Sequence, residues 1–235
     1  MELDARLTGP VPAEGRADLK RYYVPVCLYP HTTYRTKAGA TLLFDKYLID
    51  SEQYLIVIAD RLHALDRLVT GRYWSYDSVL IKARREAGEV SSLFERIAKR
   101  ADAARHGNIV YWDDVAAGEA FKRFDKGLRA ELSSNAAFVS SLEAFVKLRV
   151  HRFGLGSDHD KEAGFEREYL LSEVSMSMFC TEVLGFSDEI WEKPVSPGVP
   201  DPLGLIYSDH RDLVARTTGR PAARSLRFLY EGATE

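Results

Sequence analysis

The sequence predicts an α/β fold with a mostly parallel sheet. Three observations lead there. Short apolar runs alternate with longer amphipathic stretches along the chain. Residues 54–59 (YLIVIA) are apolar at every position, as a strand covered on both faces must be. Residues 75–104 repeat their apolar side chains (Val79, Ala83, Val90, Phe94, Ile97, Ala101) at helical spacing.

Each element follows in order. Residues 1–18 mix Pro, Gly, Ala and charge and read as a flexible N-terminal tail; residues 19–235 read as a single domain. Residues 22–28 (YYVPVCL) form the first strand, and a helix follows from about residue 36 to 50. After the 54–59 strand come a helix over 60–69 and the long helix over 75–104. Residues 108–112 (NIVYW) are the next strand. Asp113 and Asp114 offer a cap to one helix running to about residue 132. Another helix spans 136–152, a glycine-containing loop covers 154–158, and a helix bearing Tyr169 leads into an apolar run ending at Phe186. Prolines mark 194–202 as a connection. Residues 203–207 and 225–230 supply the last strands. In such sheets, ligands bind beyond the carboxyl ends of the strands. Cys27, Asp60 and Tyr207 fall at those ends and are expected to meet there.

Bulk composition narrows the function classes. The chain has 235 residues, 46% apolar and 29% charged, with a net charge of −3. That suits a soluble globular protein and lacks the overall basicity of a DNA-binding domain. No apolar stretch reaches membrane-spanning length, and no secretory signal opens the chain. Two cysteines, Cys27 and Cys180, make no disulfide framework. A reduced, cytoplasmic setting is expected. No phosphate-binding glycine loop follows a strand. The polar group His151, Asp158, His159 and Asp160 reads as solvated surface, so neither a metal nor a cofactor is expected.

The chemistry-bearing segment is Glu168-Tyr169-Leu170-Leu171-Ser172-Glu173. Tyr169 and Glu173 stand at i and i+4 and project from one helix face. Leu203-Gly204-Leu205-Ile206-Tyr207 ends in a second tyrosine. A carboxylate flanked by phenols suits a primary amine, which needs several acceptors, one of them charged. The plainer reading makes Glu173 a solvated helix carboxylate and the tyrosines core rings.

With this layout, the chain resembles the cyclodipeptide synthases over roughly residues 19–231. The resemblance implies a Rossmann-like domain similar to the catalytic domains of class I aminoacyl-tRNA synthetases. It implies a transferase that joins two aminoacyl groups, donated by aminoacyl-tRNAs, into a cyclic dipeptide. Glu173 would hold the α-amino group and shuttle its proton, with Tyr169 and Tyr207 as hydrogen-bonding partners. In the family, a serine after the first strand becomes acylated, within a Gly-aliphatic-Ser-x-x-Asn pattern. Here the chain reads Pro25-Val26-Cys27-Leu28-Tyr29-Pro30-His31-Thr32-Thr33-Tyr34. Aligned on the strand, Cys27 takes the serine's place; aligned on Tyr34, Leu28 does. Cys27 is the candidate nucleophile, the alternative being a small buried residue at a strand end. Thr32 or Thr33 is a weaker substitute, and direct attack between two aligned aminoacyl-tRNAs needs no nucleophile. Phe121 stands where the family often has tyrosine; with His31 it is a candidate for substrate contact, not for proton transfer.

The resemblance also implies tRNA contact along the 75–104 helix. Lys82, Arg85, Arg96, Lys99 and Arg100 lie off its apolar face and can follow phosphates. Interspersed Glu86, Glu89, Glu95 and Asp102 equally suit a solvated face laced with ion pairs. Arg149, His151 and Arg152 form a second basic group. Two other functions stay open: aminoacyl transfer to another amine, including an arginine-using branch of the family, and a non-catalytic tRNA- or ligand-binding module. A monomer or homodimer, with no DNA or membrane partner, is expected.

Overall fold

The computed structural model describes residues 20–28, 33–69, 75–153, 159–186, 188–191, 216 and 225–228. Five strands form one sheet: β1 (Arg21–Val26), β2 (Gln53–Ile58), β3 (Gly107–Tyr111), β4 (Asp188–Trp191) and β5 (Ser225–Phe228). Their order is β3-β2-β1-β4-β5, and every pairing is parallel. The parallel α/β sheet is as expected, and its strand order makes it doubly wound. The chain direction switches beside β1, between β2 and β4, where such folds open a crevice.

The helices are α1 (Lys37–Leu43, continuing through a π-turn over Phe44–Leu48), α2 (Asp60–Val69), α3 (Tyr76–Arg100), α4 (Trp112–Ala117), α5 (Glu119–Ser134), α6 (Ala136–Phe153) and α7 (His159–Met178). A second π-turn over Phe179–Val183 extends α7. Side-chain caps fix several starts. Thr36 Oγ1 accepts from the Gly39 N–H at 3.0 Å, Ser75 Oγ from Ser78, and Asn135 Oδ1 from Phe138 at 2.9 Å. Each satisfies a donor that the first turn leaves open.

Alternation along β1 and β2 splits the core in two. Tyr22, Val24, Val26 and Leu28 join Tyr54, Ile56 and Ile58 on one face, against α1 and α3. Tyr23, Leu55, Val57 and Ala59 face the other way, against α5, α6 and α7. Burial of each such aliphatic side chain contributes roughly 1.5–3 kcal/mol. Helix α2 packs against both α3 and α7, so the first residues after β2 sit between the two layers.

Several expectations are corrected. The helix predicted from Asp113 is two helices, because Gly118 turns to extended geometry between α4 and α5. Tyr111 occupies the cap position, and Asp113 and Asp114 lie in the first turn, where their charge meets the helix dipole. The long helix stops at Arg100, closed by Asp102 at φ 52°. Strand β4 is an addition to the predicted elements. Residues 1–18, His31, Thr32, Tyr207, and the 194–202 and 203–207 segments lie outside the described residues. Among the described residues, no helix is long and apolar enough to cross a membrane.

Candidate active site

Cys27 follows β1 directly and is half-buried. Val26 just before it accepts the Ala59 N–H at 2.9 Å, and the Leu28 carbonyl just after it accepts from Arg35 Nη1 at 2.7 Å. The thiol is therefore carried on backbone tied at both sides. It opens on a small pocket lined by Cys27, Leu28, Ala59, Leu62, His63 and Tyr169. The walls come from the residues just after β1 and β2, the first turn of α2 and the middle of α7. Cys27 and Tyr169, picked out from distant parts of the sequence, thus share one cavity at the carboxyl edge of the sheet.

Tyr169 is buried, and Glu173, one turn on, is half-buried. Leu170, Val174 and Met178 are buried around them, so this stretch is an interior helix turn. Glu168, the other carboxylate of the segment, is committed elsewhere. Arg129 donates to both its oxygens at 2.9 and 3.2 Å, Ser172 donates at 2.9 Å, and Arg61 adds a contact at 3.4 Å. Tyr23, on the same sheet face, is fully buried. Burial raises its phenol far above the usual value, and negative charge on Cys180, Glu189, Glu173 and Cys27 adds to the effect. One buried ring thus lies within the fields of both Cys27 and Glu173.

Sequence reasoning missed His63. Its Nε2 accepts from Arg67 Nε at 2.8 Å and lies 3.6 Å from Glu86. Arg67 Nη2 also donates to both Glu86 oxygens at 2.9 and 3.1 Å, and Arg35 reaches Glu86 at 3.6 Å. A guanidinium can only donate, so Nε2 carries the lone pair and the imidazole proton sits on Nδ1. Burial, followed by the charge of Arg67, pushes the His63 pKa down to about 4. It is a neutral ring at neutral pH. The available signal was a lone polar residue inside Leu62-His63-Ala64-Leu65, the first turn after a doubly covered strand.

Asp60 is not among the residues that line the Cys27 pocket. It is fully buried at the start of α2, 3.6 Å from Arg84, which also pairs with Asp113 in the first turn of α4. Burial, reinforced by the Asp113 charge, raises its pKa to about 6. Phe121 packs edge-to-face on Phe179, with ring centroids 5.3 Å apart, in the core beside α7. Arg85, Arg96, Lys99 and Arg100 are exposed on α3. Lys82 is half-buried, and its charge reaches His63. Arg149 is no part of a surface cluster: it pairs with Glu166 at 2.7 Å under the α6–α7 contact. No three His, Cys, Asp or Glu side chains among the described residues gather as a metal site.

No protein-family model matches the chain. No curated protein is similar to it in sequence. Solved structures are similar in fold. A cyclodipeptide synthase from Fluoribacter dumoffii superposes with a TM-score of 0.66 at 16% identity, covering 93% of this chain and 95% of that one. A Mycobacterium tuberculosis protein, whose structure relates cyclodipeptide synthetases to type I tRNA-synthetases, gives 0.62 at 14% identity over 80% and 78%. A cyclodipeptide synthase from Candidatus Glomeribacter gigasporarum, solved bound to Phe-tRNAPhe, gives 0.53 at 15% identity over 100% and 98%. The chain shares the fold of these proteins.

Proposed function

We propose that this chain, built on the cyclodipeptide synthase fold, is a divergent member of that family and makes a cyclic dipeptide from two aminoacyl-tRNAs. The observation that carries the reading is the cavity shared by Cys27 and Tyr169, with Glu173 one helical turn away. A nucleophile, a phenol and a carboxylate at the carboxyl edge of a parallel sheet are the parts that acyl transfer to an amine requires.

The steps balance without ATP, because the aminoacyl ester is already activated. The Cys27 sulfur attacks the ester carbonyl; a C–S bond forms, the C–O bond to the terminal ribose breaks, and the ribose oxygen leaves with the thiol proton. The amine of the second aminoacyl-tRNA attacks the thioester; a C–N bond forms and the sulfur regains a proton. Glu173 binds the α-ammonium of the first aminoacyl unit with Tyr169 and Tyr207 and takes its proton. The freed amine attacks the second ester; a C–N bond forms, the C–O bond to the second tRNA's terminal ribose breaks, and the proton passes to that ribose oxygen. Exposed Arg85, Arg96, Lys99 and Arg100 on α3, with Lys82 at its inner edge, follow the acceptor-stem phosphates.

The test is direct. Purified protein is given labelled aminoacyl-tRNAs, and small products are read by mass spectrometry. A cyclic dipeptide, lost by at least about 100-fold in Glu173→Gln with the fold intact, is the expected result. Transfer to another amine, or binding without turnover, would replace this reading.

A further inference from the structure

We propose that His63 is a positioning residue for the Cys27 thiol: its imidazole, held from behind by Arg67 and Glu86, presents an N–H to the sulfur across the pocket they share. This deepens the proposed function and rests on Cys27 as its nucleophile.

The cavity wall is mostly apolar. Leu28, Ala59 and Leu62 are buried and apolar, so a thiolate formed there lacks the water that normally stabilises it. The wall's polar side chains, besides the thiol, are Tyr169 and His63. His63 is 5% exposed, and its ring is fixed rather than free to turn. Arg67 Nε holds Nε2 at 2.8 Å, one turn along the same helix. Glu86 fixes Arg67 through two contacts, and Arg35 joins Glu86 to the backbone of Leu28, next to Cys27. The same ion network therefore grips both the ring and the strand end carrying the sulfur. Because Arg67 occupies Nε2, the ring has a donor to offer and no second lone pair. It stabilises developing negative charge and does not remove the thiol proton, which ends on the departing ribose oxygen.

The charged and titratable groups around the pair come from every neighbouring element. Arg67 lies on α2, Lys82 and Glu86 on α3, Arg35 on the turn before α1, Tyr23 on β1, and Tyr169 and Glu173 on α7. Among these groups Tyr169 also borders the cavity; the His63 ring is held there by the hydrogen bond from Arg67, on the neighbouring turn of its own helix.

The experiment measures alkylation of Cys27 by iodoacetamide against pH in the full chain, by peptide mass spectrometry. Cys180 is fully buried and is scored on its own peptide. In His63→Leu the midpoint of the profile moves up by about one pH unit, so the rate near neutrality falls about tenfold. His63→Asn, which keeps an amide N–H close to the Nδ1 position, recovers most of it. Arg67→Gln loosens the ring and falls between, and it serves if His63→Leu does not fold. A profile unchanged in the folded variants overturns the proposal. Trapping of the aminoacyl adduct separates the two readings. A His63-dependent profile with no adduct upholds His63 and removes the covalent step. An adduct with a His63-independent profile does the reverse.

Discussion

The guanidinium of Arg149 lies over the ring of Tyr169, 5.3 Å from its centroid, while its Nε meets the buried carboxylate of Glu166 at 2.7 Å. The tyrosine that lines the Cys27 cavity is thus also held by a cation with its own counter-ion. Packing and chemistry of this ring can be separated by substitution.

Tyr169→Phe keeps the ring and the cation contact and removes the hydroxyl. Product formation falls about 10–100-fold while thermal stability stays within about 0.5 kcal/mol. Arg149→Leu leaves Glu166 buried without its partner. It destabilises the fold by about 3–5 kcal/mol. Steady-state kinetics and urea melts of the two variants check the division.

Asp60 and His63 give the fold opposing pH dependences. The Asp60 carboxyl is raised to about 6, so between about pH 4 and 6 the native state holds a proton that the unfolded chain has shed. Its contribution to stability therefore falls as pH rises through that window. His63 is lowered to about 4, so between about 4 and 6.5 the unfolded chain binds the extra proton, and stability rises with pH. Asp60→Asn removes the first slope and exposes the second. Relative to the parent, the variant is near neutral at about pH 4 and gains up to about 3 kcal/mol by about pH 7.5. Urea denaturation across that range reads both slopes.

Gly39→Ala strikes the backbone that carries Arg35. A Cβ there would overlap the Thr33 carbonyl oxygen, which already accepts the Thr36 N–H. A main-chain atom cannot swing aside, so the turn before α1 must shift. The expected cost is about 1–3 kcal/mol or more. A smaller cost, with the Arg35–Leu28 hydrogen bond preserved in a crystal structure, would show that the turn yields.

Charge reversal at Arg96, Lys99 and Arg100 tests the exposed face of α3. Aminoacyl-tRNA binding weakens, and the slope of log affinity against log salt shrinks by about one for each phosphate no longer neutralised. Filter binding at several salt concentrations checks it. An unchanged slope would leave the face to its own ion pairs.

What the sequence disclosed follows from where single residues fix the answer. β2 is apolar at successive positions because both faces are covered, and its shortness and β-branched Ile56, Val57 and Ile58 mark it as strand rather than buried helix. Tyr169 and Glu173 declare their shared face by spacing alone. β4 was hidden because Asp188-Glu189-Ile190-Trp191 shows no alternation. It is a strand because β1 and β5 pair on its two sides, and because Ser177 donates to the buried Glu189 at 2.7 Å. The break at Gly118 was invisible within a run of good helix formers. His63 escaped notice because only the fold brings Glu86 and Cys27 around it, and Lys82 looked like surface for the same reason.

The pairing of Tyr22 with Asp188 joins the beginning of the sheet to a point far along the chain. As the polypeptide leaves the ribosome, β1 zips to β2 early, but its second edge must wait for most of the sequence to be translated. Until then an open row of amides invites strangers. Cys27 sits at the tip of that strand, so the pocket it lines is complete only once the distant segment carrying Tyr169 has been added.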